Sequence, residues 1–115
     1  MIDDSTTFNH DWLRDARRIY LSGAPAKLED LDRAITTLEM NPSSQSHERR
    51  LRLLLHNLIG SGGSYGFPAV SETARLMSVC LHRRLDARLP VDDDTFKVLR
   101  RYLEELKTFF SSAKP

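Results

Sequence analysis

Apolar residues recur at helical spacing nearly everywhere along the chain, and no stretch alternates long enough to make a half-buried strand. The first predicted helix runs from about Thr7 to Leu21 and gathers Phe8, Trp12, Ala16, Ile19 and Tyr20 on one face. Ser22-Gly23-Ala24-Pro25 ends it, because glycine suits a helix C-terminus and proline the first turn of the next helix. The second, to about Met40, places Leu28, Leu31, Ile35 and Leu38 at heptad-like spacing, and Asn41-Pro42-Ser43-Ser44 stops it and caps the third. The third spans about Ser46 to Tyr65, with Leu51, Leu54, Leu55, Leu58 and Tyr65 inward, and Gly66-Phe67-Pro68 breaks it. The fourth turns Val70, Ala74, Met77, Leu81 and Leu85 inward with Cys80 at the edge, and closes at Leu89-Pro90. Asp92, Asp93 and Asp94 cap a fifth helix, whose stripe is Phe96, Leu99, Leu103, Leu106 and Phe110.

Every connection is a handful of residues, so consecutive helices are expected to be antiparallel neighbours. The predicted fold is all-α: an antiparallel up-and-down four-helix bundle with an additional N-terminal helix, one domain over residues 1–115. A chain of 115 residues suffices for one core and is too short for two. With 40% apolar and 29% charged residues the composition is that of a globular protein. A formal charge of +1 gives no global pull towards nucleic acid or anionic lipid, and no apolar run approaches the roughly 20 residues that span a bilayer. Met-Ile-Asp-Asp-Ser lacks the basic and apolar segments of a secretory signal, so the expected location is cytoplasmic. Cys80 is the only cysteine, which leaves no internal disulfide and no cysteine metal cluster.

One segment of the third helix departs from helical propensity: His56-Asn57-Leu58-Ile59-Gly60-Ser61-Gly62-Gly63-Ser64-Tyr65-Gly66. Each interior glycine costs a helix about 1 kcal/mol relative to alanine, an expense that stability alone does not select. At about 100° per residue, Gly62 falls among the buried leucines, whereas Gly60 and Gly63 share the outward side of His56. Arg52 and Arg49 lie on that side one and two turns earlier, and Leu53 and Ile59 flank it.

An exposed imidazole beside bare helix, bordered by guanidiniums and aliphatic groups, suits phosphoryl transfer. A free imidazole titrates near pH ~6.5, so at neutral pH much of it is an uncharged nucleophile that needs no separate base. The rest of such chemistry is positioning and charge stabilisation, which a nearby arginine can supply. Missing side chains at Gly60 and Gly63 let a partner's active site approach closely, and the apolar rim offers contact area.

Other readings of the same residues are weaker. Gly60, Gly62, Gly63 and Gly66 fit neither a dinucleotide fingerprint nor a P-loop. His10, His47, His56 and His82 have no metal-ligand spacing, and the first, second and fourth carry no motif and read as surface residues. Ser61 and Ser64 lack a visible base and oxyanion arrangement. Arg49, Arg50 and Arg52, like Arg83 and Arg84, read as a solvated face, since no recognition-helix turn accompanies them.

The segment from Leu55 to Gly66 resembles the signature of histidine-containing phosphotransfer (HPt) domains, roughly His-x-Leu-Lys-Gly-Ser-small-small-x-apolar-Gly. His56, Leu58, Gly60, Ser61, Gly62, Gly63 and Gly66 fall on its positions, and Val70, Ser71, Glu72 and Cys80 are similar to the family's following helix. The signature has lysine three residues after its histidine, where this chain has Ile59. The resemblance implies a phosphorelay carrier that accepts a phosphoryl group on His56 from a receiver aspartate or a kinase and passes it to another receiver aspartate. Arg52 is the candidate that stabilises the phosphate in place of the lysine, and Arg49, Leu53, Ile59, Gly60 and Gly63 form the expected docking face. The implied partners are receiver domains of response regulators or hybrid histidine kinases, which would contribute the aspartate and Mg²⁺. The chain itself is then expected to need no cofactor and no metal, and to act as a phosphocarrier and not as an independent enzyme, a monomer that binds neither nucleic acid nor membrane. A histidine-kinase dimerisation helix fits less well, because an acidic residue follows that histidine and here Asn57 does. The alternative from another class is a non-catalytic adaptor that keeps the HPt surface and docks receivers without transfer, and Ile59 is the feature that favours it.

Overall fold

The computed structural model contains five helices in the expected order: α1 (Asp4–Ser22), α2 (Ala24–Met40), α3 (Gln45–Ser64), α4 (Pro68–Asp86) and α5 (Asp93–Ser112). It describes the backbone of residues 4–86 and 89–115 and the side chains of residues 11–84 and 89–115, among which there is no strand. Local chemistry sets the boundaries. The Ser44 hydroxyl accepts from the His47 amide at 3.3 Å to start α3, and the Asp92 carboxylate accepts from the Thr95 amide at 2.9 Å to start α5. Asp93 and Asp94 occupy the first turn of α5, where negative charge offsets the helix dipole.

The four helices α2 to α5 close a ring in which each packs on the next and α5 returns to α2. Leu31, Ile35 and Leu38 of α2 meet Leu51, Leu55 and Leu58 of α3, with Val70, Ala74, Met77 and Leu81 of α4 and Phe96, Leu99, Leu103 and Leu106 of α5. Each fully buried leucine contributes about 1.5–3 kcal/mol relative to exposure, so these stripes hold the bundle together. Leu28, Leu54, Tyr65 and Phe110, expected inside, are only partly buried and pack on the core from its edge. The side chains of Phe8 and Leu85 lie outside the described residues. On the solvent side, Arg100 of α5 ties itself to α2 through Glu39 at 2.7 Å and Asp32 at 3.4 Å.

α1 departs from expectation. It does not fold back along α2 as an antiparallel neighbour, and Trp12 and Ile19 are exposed, at 63% and 73%, instead of facing inward. The cause is the junction. Gly23 adopts φ −86° and ψ −7°, close to helical values, instead of the left-handed conformation that reverses a chain. Pro25, which cannot donate to the helix before it, interrupts the hydrogen-bond ladder without making a loop. A 19-residue helix is about 28 Å long. The 61 Å length of the molecule therefore requires α1 to run on past the end of the bundle.

Only one side of the C-terminal half of α1 touches the rest. Tyr20 is buried, stacked on Tyr65 at 4.6 Å and on Phe67 at 5.8 Å between ring centroids, with Phe109 and Phe110 completing an aromatic plug. Burial pushes the Tyr20 phenol above its ordinary range, while its hydrogen bond with Ser61 at 2.9 Å opposes this. The Arg17 guanidinium donates to the Tyr65 carbonyl at 2.7 Å, fastening α1 to the end of α3.

Candidate functional site

α3 presents two different sides, and its glycines divide between them. Gly62 is buried where α4 approaches most closely: a Cβ there would lie 2.7 Å from the Ser71 amide nitrogen and 3.1 Å from Val70. Ser71 seals that contact by donating its hydroxyl to the Ile59 carbonyl at 2.8 Å. Gly66 ends the helix at φ +79°, with the Phe67 amide reaching the Gly62 carbonyl at 2.7 Å and the Gly66 amide the Gly63 carbonyl at 3.2 Å. This double bond pattern satisfies the last carbonyls of α3 and needs the left-handed residue that glycine supplies. Ser61, Gly62, Gly66 and Ser71 are thus structural.

The opposite side is open. His56, Arg49, Arg52, Gly60 and Gly63 are exposed, and Leu53 is 57% exposed. A Cβ added at Gly60 would meet nothing within 4 Å, and one at Gly63 only the Ser71 hydroxyl at 4.0 Å. Close packing therefore explains Gly62 and does not explain these two. Ile59 is only half-buried: it rests on the core while its edge reaches the surface, so it offers less docking area than Leu53.

Arg49, Arg52, Leu53, His56 and Ile59 come together along a shallow groove of about 390 Å³ between α3 and α4. Gly60 and Gly63 do not line it but continue the same face beyond it. α4 supplies the far wall with Ser78 and His82, which the sequence reading left out of the site. A signal for them existed. In an antiparallel hairpin centred on Phe67, residues equally distant from the turn face each other, which sets Ser78 near His56 and His82 near Arg52. Among the described residues no carboxylate lines this groove, and neither Arg49 nor Arg52 is in an ion pair. Both guanidiniums also border a larger recess of about 640 Å³ at the start of α3, where Glu48 is present and, among the described residues, no histidine lines the wall.

Chemically, the groove offers a nucleophilic imidazole at the surface, two cationic forks within one and two turns, and hydroxyl and imidazole groups opposite. Such a set can receive a phosphoryl group and balance its charge. Among the described residues no three of histidine, cysteine, aspartate and glutamate converge as metal ligands, and no helix is long and apolar enough to cross a membrane.

Comparison with known families gives the class. A family model described as Hpt domain matches residues 15–109, most of the chain. The chain belongs to the Hpt domain family, the phosphocarriers of histidine phosphotransfer in phosphorelays, which interact with receiver domains. Comparison with the curated proteins and with the solved structures finds no match.

Proposed function

We propose that this protein is a phosphorelay carrier whose phosphoryl group resides on His56. The observation that carries the reading is the position of this imidazole: exposed, on a face cleared at Gly60 and Gly63, in a groove where two arginines and, among the described residues, no carboxylate line the wall. A ring nitrogen of His56 attacks the phosphorus of a receiver's aspartyl phosphate. The new N–P bond forms as the acyl-phosphate P–O bond breaks, the aspartate leaves as carboxylate, and the imidazole sheds a proton. The reverse sequence delivers the group to the next receiver. The receiver supplies the aspartate and Mg²⁺, and the chain contributes the nucleophile, its orientation and cationic groups. Arg52, four residues before His56, stabilises the phosphate in place of the lysine that Ile59 replaces, and Arg49, Leu53, Ile59, Gly60 and Gly63 receive the partner.

Ile59 favours a second reading, an adaptor that docks receivers without transfer. One assay separates the two. Incubated with a phosphorylated receiver, the wild-type protein gains an acid-labile, base-stable phosphoryl group, and His56→Gln gains none while keeping its helical content. Binding without labelling of the wild type would establish the adaptor, and labelling of His56→Gln would refute the assignment of His56.

A further inference from the structure

α1 exposes a tryptophan beside the open face of α3. We propose that Trp12 is an aromatic anchor for a receiver domain seated over His56, an inference that rests on the function proposed above. Trp12, 63% exposed, forms one lip of a cleft with Ala16 of α1 and Ser61, Ser64 and Tyr65 of α3. The cleft is fixed in place: the Arg17 bond to the Tyr65 carbonyl and the Tyr20–Ser61 hydrogen bond clamp α1 five and eight residues after Trp12.

Reach identifies the occupant. Ser64 lies eight residues after His56 on one helix, about 12 Å along its axis. A protein interface of ordinary size covers about 800 Å² on each partner, a disc of roughly 16 Å radius. A domain centred on His56 therefore extends to Ser64 and meets the cleft, and Gly60 and Gly63 raise nothing between. The family's partners are receiver domains, so the surface that covers Trp12 is continuous with the one that covers the histidine. Tryptophan is enriched among the few residues that dominate binding energy, because it buries a large rigid surface at little entropic cost. Trp12 lies just before the residues matched by the family model. Ile19 shares the exposed stripe of α1 two turns on and does not line the cleft, so it serves as an internal control.

Trp12 is the only tryptophan in the chain, and its fluorescence reports directly on its surroundings. The full chain is titrated with a receiver that lacks tryptophan and transfers to His56. Trp12 emission should shift to the blue and its quenching by acrylamide should fall. Trp12→Ala should raise the receiver concentration for half-maximal transfer about tenfold or more with the saturated rate unchanged, while Ile19→Ala stays within about twofold. Transfer to His56 with unchanged emission and a wild-type-like Trp12→Ala overturns the anchor and leaves the proposed function standing. An equal loss at Ile19 overturns the assignment to this cleft. A blue shift that grows with the protein's own concentration, without receiver, assigns the face to a second copy and likewise overturns it. If no receiver in a panel transfers to the wild type, the proposed function falls first and the anchor with it.

Discussion

Two sides of α3 carry parts of one signature and obey different rules. On the inner side, Gly62 is the only residue that fits against the Ser71 backbone, and Gly66 takes a conformation that other residues resist. On the outer side, Gly60 and Gly63 have free space above them, and no packing demand accounts for either. A run of glycines thus hides two causes: one set lets helices meet, and the other keeps a surface bare. The difference is why the proposed chemistry is assigned to the outer set, where a cost in helix stability persists without a structural return.

Substitution at the neighbouring positions 62 and 63 gives the largest separation. Gly63→Glu fills the open face and sets negative charge beside the phosphate, so transfer should be blocked. The fold should persist, because glutamate is the better helix former and nothing lies in its way. Gly62→Ala should do the reverse: a Cβ driven at the Ser71 amide forces α3 and α4 apart and costs about 1–3 kcal/mol in thermal or urea unfolding. Below its melting temperature that variant should still transfer. Normal transfer by Gly63→Glu would place the docking face elsewhere, and an undiminished stability in Gly62→Ala would break the distinction from the inner side.

A smaller effect is expected at Arg52. If its guanidinium balances the phosphate, Arg52→Ala slows transfer or shortens the phosphohistidine lifetime about tenfold, which corresponds to roughly 1.4 kcal/mol. Adding Ile59→Lys in that background should restore part of the loss, measured by comparing rates for the wild type, both single variants and the double. Wild-type behaviour of Arg52→Ala would pass the role to His82 across the groove or to the receiver alone.

Much of this was legible from spacing. The stripes of α2, α4 and α5 follow the helical period because each has one face against the ring, and most of the expected core residues are buried, with Leu28 and Phe110 at the edge. The outward direction of His56, Gly60 and Gly63 and the inward direction of Gly62 follow from the same 100° step, as the exposures bear out. α1 departs from its expected place for a physical reason: Gly23 keeps near-helical angles, so the helix overshoots the bundle and only its Tyr20 side is covered. Periodicity gives the face that is apolar and does not say whether anything covers it. Ser78 and His82 escaped because they neighbour His56 in space and lie more than 20 residues away in sequence. Hairpin register, and not motif, connects them.

His82 sharing the groove makes the site of the phosphoryl group the decisive observation. Fragmentation mass spectrometry on the wild-type chain, labelled by a phosphorylated receiver and kept at alkaline pH, reads the modified residue directly. The expected result is a single phosphoryl group on His56 and none on His82, His47 or a serine. A phosphoryl group on any other residue, with His56 unmodified, would contradict the account.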